Sequence, residues 1–215
     1  MQSDRKKMWK EAGILFAITL IAGLALGFVH ELTKEPIAVQ QQLKIQNSCK
    51  AVFADADHFT EETLQNYATD NGLEDVYRQL TEEGQEAGVK IGETFYVAMD
   101  IGGNCIGYVF SLTSTQGYGG NIELMAGYTN DGTVSGVSIL SISETPGLGM
   151  RAGEVLIPQF EGQKVNAFTY TKSGKSAPGE IDAISGATIT TKAVTGTVNM
   201  GLSLYKEMFE GKGEQ

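Results

Sequence analysis

Residues 122–139 read IELMAGYTNDGTVSGVSI, and this stretch decides the fold class of the chain. Ile122, Leu124 and Ala126 alternate with other residues, as the side chains of a half-buried strand do. Asn130-Asp131-Gly132 then supplies the residues of a tight hairpin turn, and apolar side chains resume at Val134, Val137 and Ile139. The stretch therefore predicts two antiparallel strands joined by a short turn.

The same alternation extends upstream of this hairpin. One run comprises Phe95, Val97 and Met99, a second comprises Ile106, Tyr108 and Phe110, and Gly102-Gly103-Asn104 lies between them. Residues 94–143 are therefore predicted to form an antiparallel meander of four strands. Downstream, apolar residues recur every three or four positions in a pattern typical of an amphipathic helix packed on a sheet: Val194, Val198, Leu202, Tyr205 and Phe209.

The segment before the meander has a different character. Residues 32–53 are Gln-rich with spaced apolar side chains, which favours a helical stalk, and residues 58–85 favour a helix plus loop. We therefore predict an α+β fold with four parts. These are an N-terminus (1–11), a transmembrane helix (12–30), a stalk and connecting region (31–87), and a ligand-binding domain (88–215) whose antiparallel sheet is packed by helices.

The membrane segment is predicted from Ala12–Val29, which contains no charged residue and is long enough to cross a bilayer. Its flanking cations lie on the N-terminal side, which predicts a cytoplasmic N-terminus and an external C-terminal domain. A cleaved signal peptide is the alternative. It is disfavoured because the small residues Ala25 and Gly27 lie within the apolar run and not after it.

Composition narrows the classes of partner and cofactor. The formal charge of −10 makes nucleic acid an unfavourable partner. Two cysteines, Cys49 and Cys105, exclude a disulfide framework; their pairing stays open, although small core residues are the commoner role. His30 and His58 are far apart in sequence, so no protein metal site is expected.

The stretch DAISGATITT, residues 182–191, precedes the predicted C-terminal helix. A helix N-terminus carries unpaired N–H groups and partial positive charge, so it can bind an anion. Gly186 and Ala187 would let a phosphate approach the backbone, and hydroxyls are supplied by Ser185, Thr188, Thr190 and Thr191. The alternative is ordinary helix capping by Thr190 or Thr191 with Gly186 as a turn residue, and these residues alone favour it.

Two further loops suggest a ligand with a flat ring. The first is Glu144-Thr145-Pro146-Gly147-Leu148-Gly149, whose backbone amides and single apolar side chain could lie against such a ring. The second places Tyr118 among the glycines of residues 117–120. Each is also compatible with a simple turn. The chain has no G-x-S-x-G, H-E-x-x-H or Walker A motif, so no catalytic residue is assigned.

These three stretches together resemble the FMN-binding domain family. Residues 182–190 resemble its [ST]-G-A-T-x-T signature, residues 144–149 match its E-T-P-G-L-G loop, and the Tyr118 loop also fits. With one N-terminal anchor, the resemblance covers nearly the whole chain. It is greatest to the G subunit of the Rnf complex, a membrane-bound ion-translocating ferredoxin:NAD oxidoreductase. The C subunit of the sodium-translocating NADH:quinone reductase is related and usually longer.

The resemblance implies an electron-transfer protein of the cell membrane, with FMN joined to Thr188 through a phosphoester. A separate flavin transferase would attach it with FAD as donor, and Asp182 would help that enzyme recognise its target. Partners would be membrane and iron–sulfur subunits of the complex, and the pumped ion, Na⁺ or H⁺, stays open. The implied FMN contacts besides Thr188 are Ser185, Gly186, Ala187, Glu144, Thr145, Gly147, Leu148, Gly149 and Tyr118.

Three alternatives to this function remain. A free-standing anchored flavoprotein would serve an external acceptor, and the C subunit of the quinone reductase would serve a different pump. A non-enzymatic anchored scaffold would use residues 185–188 only to begin a helix.

Overall fold

The N-terminal part of the chain is one long helix. The computed structural model describes residues 2–211, and its contacts divide the chain into two units, Met1–Lys44 and Ile45–Gln215. Helix α1 (Gln2–Val52) spans both the predicted transmembrane segment and the predicted stalk, and it continues through Pro36. Its apolar stretch is exposed and long enough to cross a membrane, which fits a single-pass membrane protein.

The second unit is an α+β domain, as the sequence predicts. Its elements in chain order are β1 (His58–Thr63), α2 (Leu64–Asp70), α3 (Glu74–Glu86), β2 (Val89–Met99), β3 (Cys105–Ser114), β4 (Ile122–Thr129), β5 (Val134–Ile142), α4 (Ala152–Val155), β6 (Thr169–Thr171), β7 (Glu180–Asp182) and α5 (Thr188–Met208). Strands β1 to β5 form an antiparallel sheet in the order β1-β2-β3-β4-β5, and the short strands β6 and β7 form a separate parallel pair. Short 3₁₀ turns flank α4 at Gly149–Arg151 and Ile157–Gln159.

The predicted meander is confirmed as β2–β5, but the sheet has one more strand. Residues 58–63 form β1 at the edge of the sheet, where they pair with β2 from His58↔Met99 to Thr63↔Thr94. The prediction of helix and loop is therefore wrong for these residues. Phe59 is the single apolar side chain of β1, because an edge strand with both faces largely in water needs no alternating pattern.

Helix α5 packs on one face of the sheet, and two tyrosines determine its position along the strands. The buried Tyr128 hydroxyl on β4 donates to the Val198 carbonyl at 2.7 Å, and Gly201 leaves space for the ring. The Tyr205 hydroxyl donates to the Asn130 carbonyl in the β4–β5 turn at 2.5 Å. Since these hydrogen bonds prevent α5 from sliding, they also fix where its first residue lies.

The opposite face of the sheet is covered by the end of α1. Val52 and Phe53 are buried there, and glycines on three adjacent strands make room for them: Gly107, Gly127 and Gly136. Cys49 belongs to the same cluster, and burial raises the pKa of its thiol to about 12. Cys49 and Cys105 are free thiols, which answers the question of their pairing.

Gly136→Ala is expected to destabilise the domain, because a Cβ atom there would lie 2.9 Å from the Val52 carbonyl oxygen and 3.1 Å from its Cα. Backbone cannot give way as a side-chain tip can, so overpacking should cost about 1–3 kcal/mol of unfolding free energy. Urea unfolding of the detergent-solubilised protein measures this. Gly196→Ala is the matched control, since Gly196 has open space around it in α5 and alanine favours a helix. Equal midpoints for the two variants would contradict the prediction.

Candidate functional site

The first turn of α5 has free backbone donors. The helix begins at Thr188, and its N-cap residue Ala187 provides no side-chain hydrogen bond. The first helical hydrogen bond runs from the Thr191 amide to the Ala187 carbonyl at 3.0 Å. Within residues 2–211, the amides of Thr188, Ile189 and Thr190 have no acceptor. These donors point at the anion site that a helix N-terminus can provide.

The capping alternative is wrong, because both candidate threonines have other partners. The Thr190 hydroxyl donates to Glu144 Oε2 at 3.0 Å. The Thr191 hydroxyl donates to the Ala187 carbonyl at 3.0 Å and accepts from the Ile184 amide at 3.1 Å. These contacts shape the turn before the helix and leave the free amides unblocked.

Glu144 links the loops that surround the helix start. Its side chain is only 7% exposed, and besides the Thr190 hydroxyl it accepts from the Gly119 amide on Oε1 at 3.3 Å. Gly149 lies so close that a Cβ atom there would be 2.6 Å from Thr190 Oγ1 and 2.7 Å from Glu144 Oε2. The glycine is therefore required by packing, and the carboxylate joins the Tyr118 loop, the 144–149 loop and α5.

A cleft of about 510 Å³ opens beside Thr188. It brings together most of the residues that the sequence singled out, from three separate parts of the chain. The exposed apolar side chains around it are Leu148 (40% exposed), Ile189 (51%) and Tyr118 (71%). The lining residues are Tyr118, Glu144, Thr145, Leu148, Gly149, Gly186, Ala187, Thr188, Ile189 and Thr190.

Two predicted residues lie outside this lining, and two others were missed. Ser185 is exposed in the turn before Gly186, and Gly147 has a φ of +77° in the turn that the Leu148 amide closes on the Thr145 carbonyl. Ile189 and Thr190 line the cleft although neither was among the predicted FMN contacts; from the sequence only the Thr190 hydroxyl was named, as an anion ligand or a cap. Ile189 could have been found from the sequence, because it is an apolar residue at the start of an amphipathic helix but lies off the buried stripe of that helix.

Comparison with known proteins gives the family. Residues 117–203 match the FMN-binding domain, and residues 1–52 match the RnfG N-terminal region. The chain is 31% identical, over 97% of its length and 96% of the relative's, to the G subunit of the Na(+)-translocating ferredoxin:NAD(+) oxidoreductase complex of Acetobacterium woodii. It is 35% identical to the G subunit of the proton-translocating ferredoxin:NAD(+) oxidoreductase complex of Clostridium ljungdahlii, over 94% of this chain and 98% of that one.

Solved structures agree on the fold. NqrC of Shewanella oneidensis superposes with a TM-score of 0.55 at 16% identity, covering 80% of this chain and 97% of that one. The C subunit of the Na(+)-translocating NADH-quinone reductase of Parabacteroides distasonis gives a TM-score of 0.52 at 22% identity, with coverage of 79% and 92%. These are likenesses of fold, whereas the full-length relatives decide the family: the chain belongs to the RnfG family, the G subunits of Rnf complexes.

Proposed function

We propose that this chain is the electron-transferring G subunit of an ion-translocating ferredoxin:NAD oxidoreductase complex, with FMN covalently bound to Thr188 through a phosphoester. The observation that carries the proposal is the uncapped start of α5, with free amides at Thr188, Ile189 and Thr190 beside an open cleft. The covalent linkage and the complex are the two parts of this proposal that need separate tests.

The helix start fits the phosphate of FMN. The Thr188 side chain is partly exposed, and its hydroxyl makes no hydrogen bond to the described part of the chain. It is therefore available for esterification. The resulting phosphodiester carries one negative charge, shared by its two non-bridging oxygens, and would place it at the positive end of the α5 dipole. Gly186, with a φ of +78°, turns the chain sharply without adding a side chain in front of the amides.

The cleft fits the ring system of FMN. Leu148 and Ile189 offer apolar surface in the cleft that Thr188 lines, and Tyr118 adds an exposed aromatic ring. Exposed apolar side chains gathered round a cleft with a few polar groups are typical of a cofactor site. Bound FMN would supply one- and two-electron transfer, while the chain holds the phosphate, orients the ring and limits water access from one side.

Attachment would require a separate flavin transferase with FAD as donor. The Thr188 oxygen would bond to the FMN phosphorus, the pyrophosphate bond of FAD would break, and AMP would leave as the hydroxyl proton is released. Asp182 lies in β7 just before the turn, where its carboxylate accepts from the Lys175 amide at 2.6 Å. That contact holds the Asp182 side chain against the loop that precedes β7.

The distribution of charge supports the proposed membrane arrangement. Arg5, Lys6, Lys7 and Lys10 precede the apolar stretch of α1, which favours a cytoplasmic N-terminus. The chain would then be a single-pass protein of the cytoplasmic (inner) membrane, with its FMN-binding domain outside. Its partners would be the membrane and iron–sulfur subunits of the complex.

Two measurements on the native protein test the two parts. Mass spectrometry of proteolytic peptides is expected to find FMN on the peptide that contains Thr188; an unmodified peptide from cells with an active flavin transferase would refute the linkage. Affinity purification of the tagged chain in mild detergent is expected to recover membrane and iron–sulfur subunits. A flavinylated chain that purifies alone would instead favour a free-standing anchored flavoprotein.

A further inference from the structure

Glu144 is a buried carboxylate that forms no salt bridge with any side chain that the structure describes. Among the residues that the structure describes, the salt bridges join other side chains, and its own partners are the neutral Thr190 hydroxyl and Gly119 amide. Buried carboxylates are usually paired with a cation, because losing water is costly for the charged form. A charge kept in such a place without a salt bridge acts on whatever occupies the cleft that it lines.

We propose that Glu144 sets the reduction potential of the flavin in this cleft, holding it lower than a neutral side chain would. The inference rests on the proposed FMN site. Flavin reduction adds electrons to the ring system, and a nearby negative charge disfavours added negative charge. The cleft wall is largely shielded from water at Glu144, so solvent screens this interaction less than it would at the surface.

The hydrogen bonds around Glu144 keep the charge in place. Thr190 Oγ1 and the Gly119 amide hold one carboxylate oxygen each, and Gly149 packs against the side chain. Because these contacts come from α5 and from two loops that line the cleft, the carboxylate cannot swing into solvent without breaking them. The geometry thus separates a charge effect, carried by Glu144, from a positioning effect, carried by Thr190.

The test is a reductive titration of full-length flavinylated protein in detergent, with a reference dye in the same cuvette. Dithionite is oxidised, the dye and the bound flavin are reduced, and their visible absorbances give the midpoint potential. Glu144→Gln removes the charge while its amide still accepts from Gly119 and donates to Thr190. The midpoint is expected to rise by about 30 mV or more, which corresponds to a tenfold shift of a two-electron equilibrium.

Two control variants separate charge from structure. Glu82→Gln removes one exposed charge from α3, outside the cleft lining, and is expected to leave the potential unchanged. Thr190→Val keeps the Glu144 charge but removes one of its donors, so it is not expected to raise the potential. A Glu144→Gln midpoint equal to that of Glu82→Gln would overturn the inference, as would an equal rise in Thr190→Val.

Failure of this inference is distinguishable from failure of the proposed function. Wild-type protein that carries no FMN, although it was made in cells with an active flavin transferase, would refute the FMN site itself. Wild-type and Glu144→Gln proteins that both carry flavin, with the same potential, would refute only the role of Glu144. If Glu144→Gln does not fold, Glu144→Asp and Glu144→Ala replace it. Both break the contacts of the Glu144 side chain, but Glu144→Asp keeps the negative charge. A midpoint potential raised as much in Glu144→Asp as in Glu144→Ala would overturn the charge effect.

Discussion

Thr188→Ala is expected to abolish flavin that survives denaturation. The substitution removes the only atom of the side chain that can form the phosphoester, while the uncapped amides and the cleft remain. In-gel fluorescence after denaturing electrophoresis measures the loss directly, and the variant band should be dark beside a bright wild-type band. A bright variant band would contradict attachment at Thr188.

The fold of this variant should persist, which makes the loss interpretable. Thr188 is only partly buried, and its hydroxyl has no partner within residues 2–211. Surface substitutions of this kind change the unfolding free energy by about 0.5 kcal/mol or less. Thr188→Ser is the matched control, because it restores a hydroxyl at the same position. We expect it to recover part of the fluorescence, and urea unfolding should place both variants near the flavin-free wild type.

Phe53→Ala is expected to have the largest effect on stability. Phe53 is buried against the face of the sheet opposite α5, where Gly107 and Gly127 leave space for its ring. Truncation would leave a cavity between the end of α1 and the strands, and large-to-small changes of phenylalanine cost about 3–5 kcal/mol. Urea unfolding in detergent, followed by near-ultraviolet circular dichroism of the tyrosines, measures the change.

Val39→Ala serves as the comparison within the same helix. Val39 is 53% exposed and lies in the first unit of the chain, outside the cluster that holds Phe53. Its truncation should change the unfolding free energy by about 0.5 kcal/mol or less. If Phe53→Ala unfolds at the same urea concentration as Val39→Ala, the end of α1 does not contribute to the stability of the domain.

Local sequence patterns were sufficient for most of the fold. Alternation predicted β2–β5, the 3.6-residue period predicted α5, and the uncharged run predicted the apolar helix. The packing of Val52 and Phe53 on the sheet face opposite α5 was not predictable, because it joins residues far apart in sequence. The only sign of this packing in the sequence is the set of glycines at positions 107, 127 and 136. They cannot be told from ordinary turn glycines until the register of β3, β4 and β5 places them side by side.

The candidate site was also only partly predictable, because it too depends on contacts between residues far apart in sequence. The three loops could be named from their residues, but their meeting around one cleft depends on the sheet that carries them. Capping by Thr190 was the natural expectation from the local sequence. It is wrong because Glu144, which is distant in sequence, takes the Thr190 hydroxyl. A long-range hydrogen bond, which no short stretch of sequence reveals, therefore decides the role of this threonine in place of its local preference for capping.

The edge strand β1 has a consequence for self-association. An exposed edge offers unpaired backbone groups to any other extended chain, and like charges placed opposite each other disfavour such pairing. β1 presents Glu61 and Glu62 at this edge, both exposed, in a strand whose only apolar side chain is Phe59. A second copy that added itself to the sheet here would bring these carboxylates together. Crowded in the plane of a membrane, neighbouring copies would therefore resist joining into one continuous sheet.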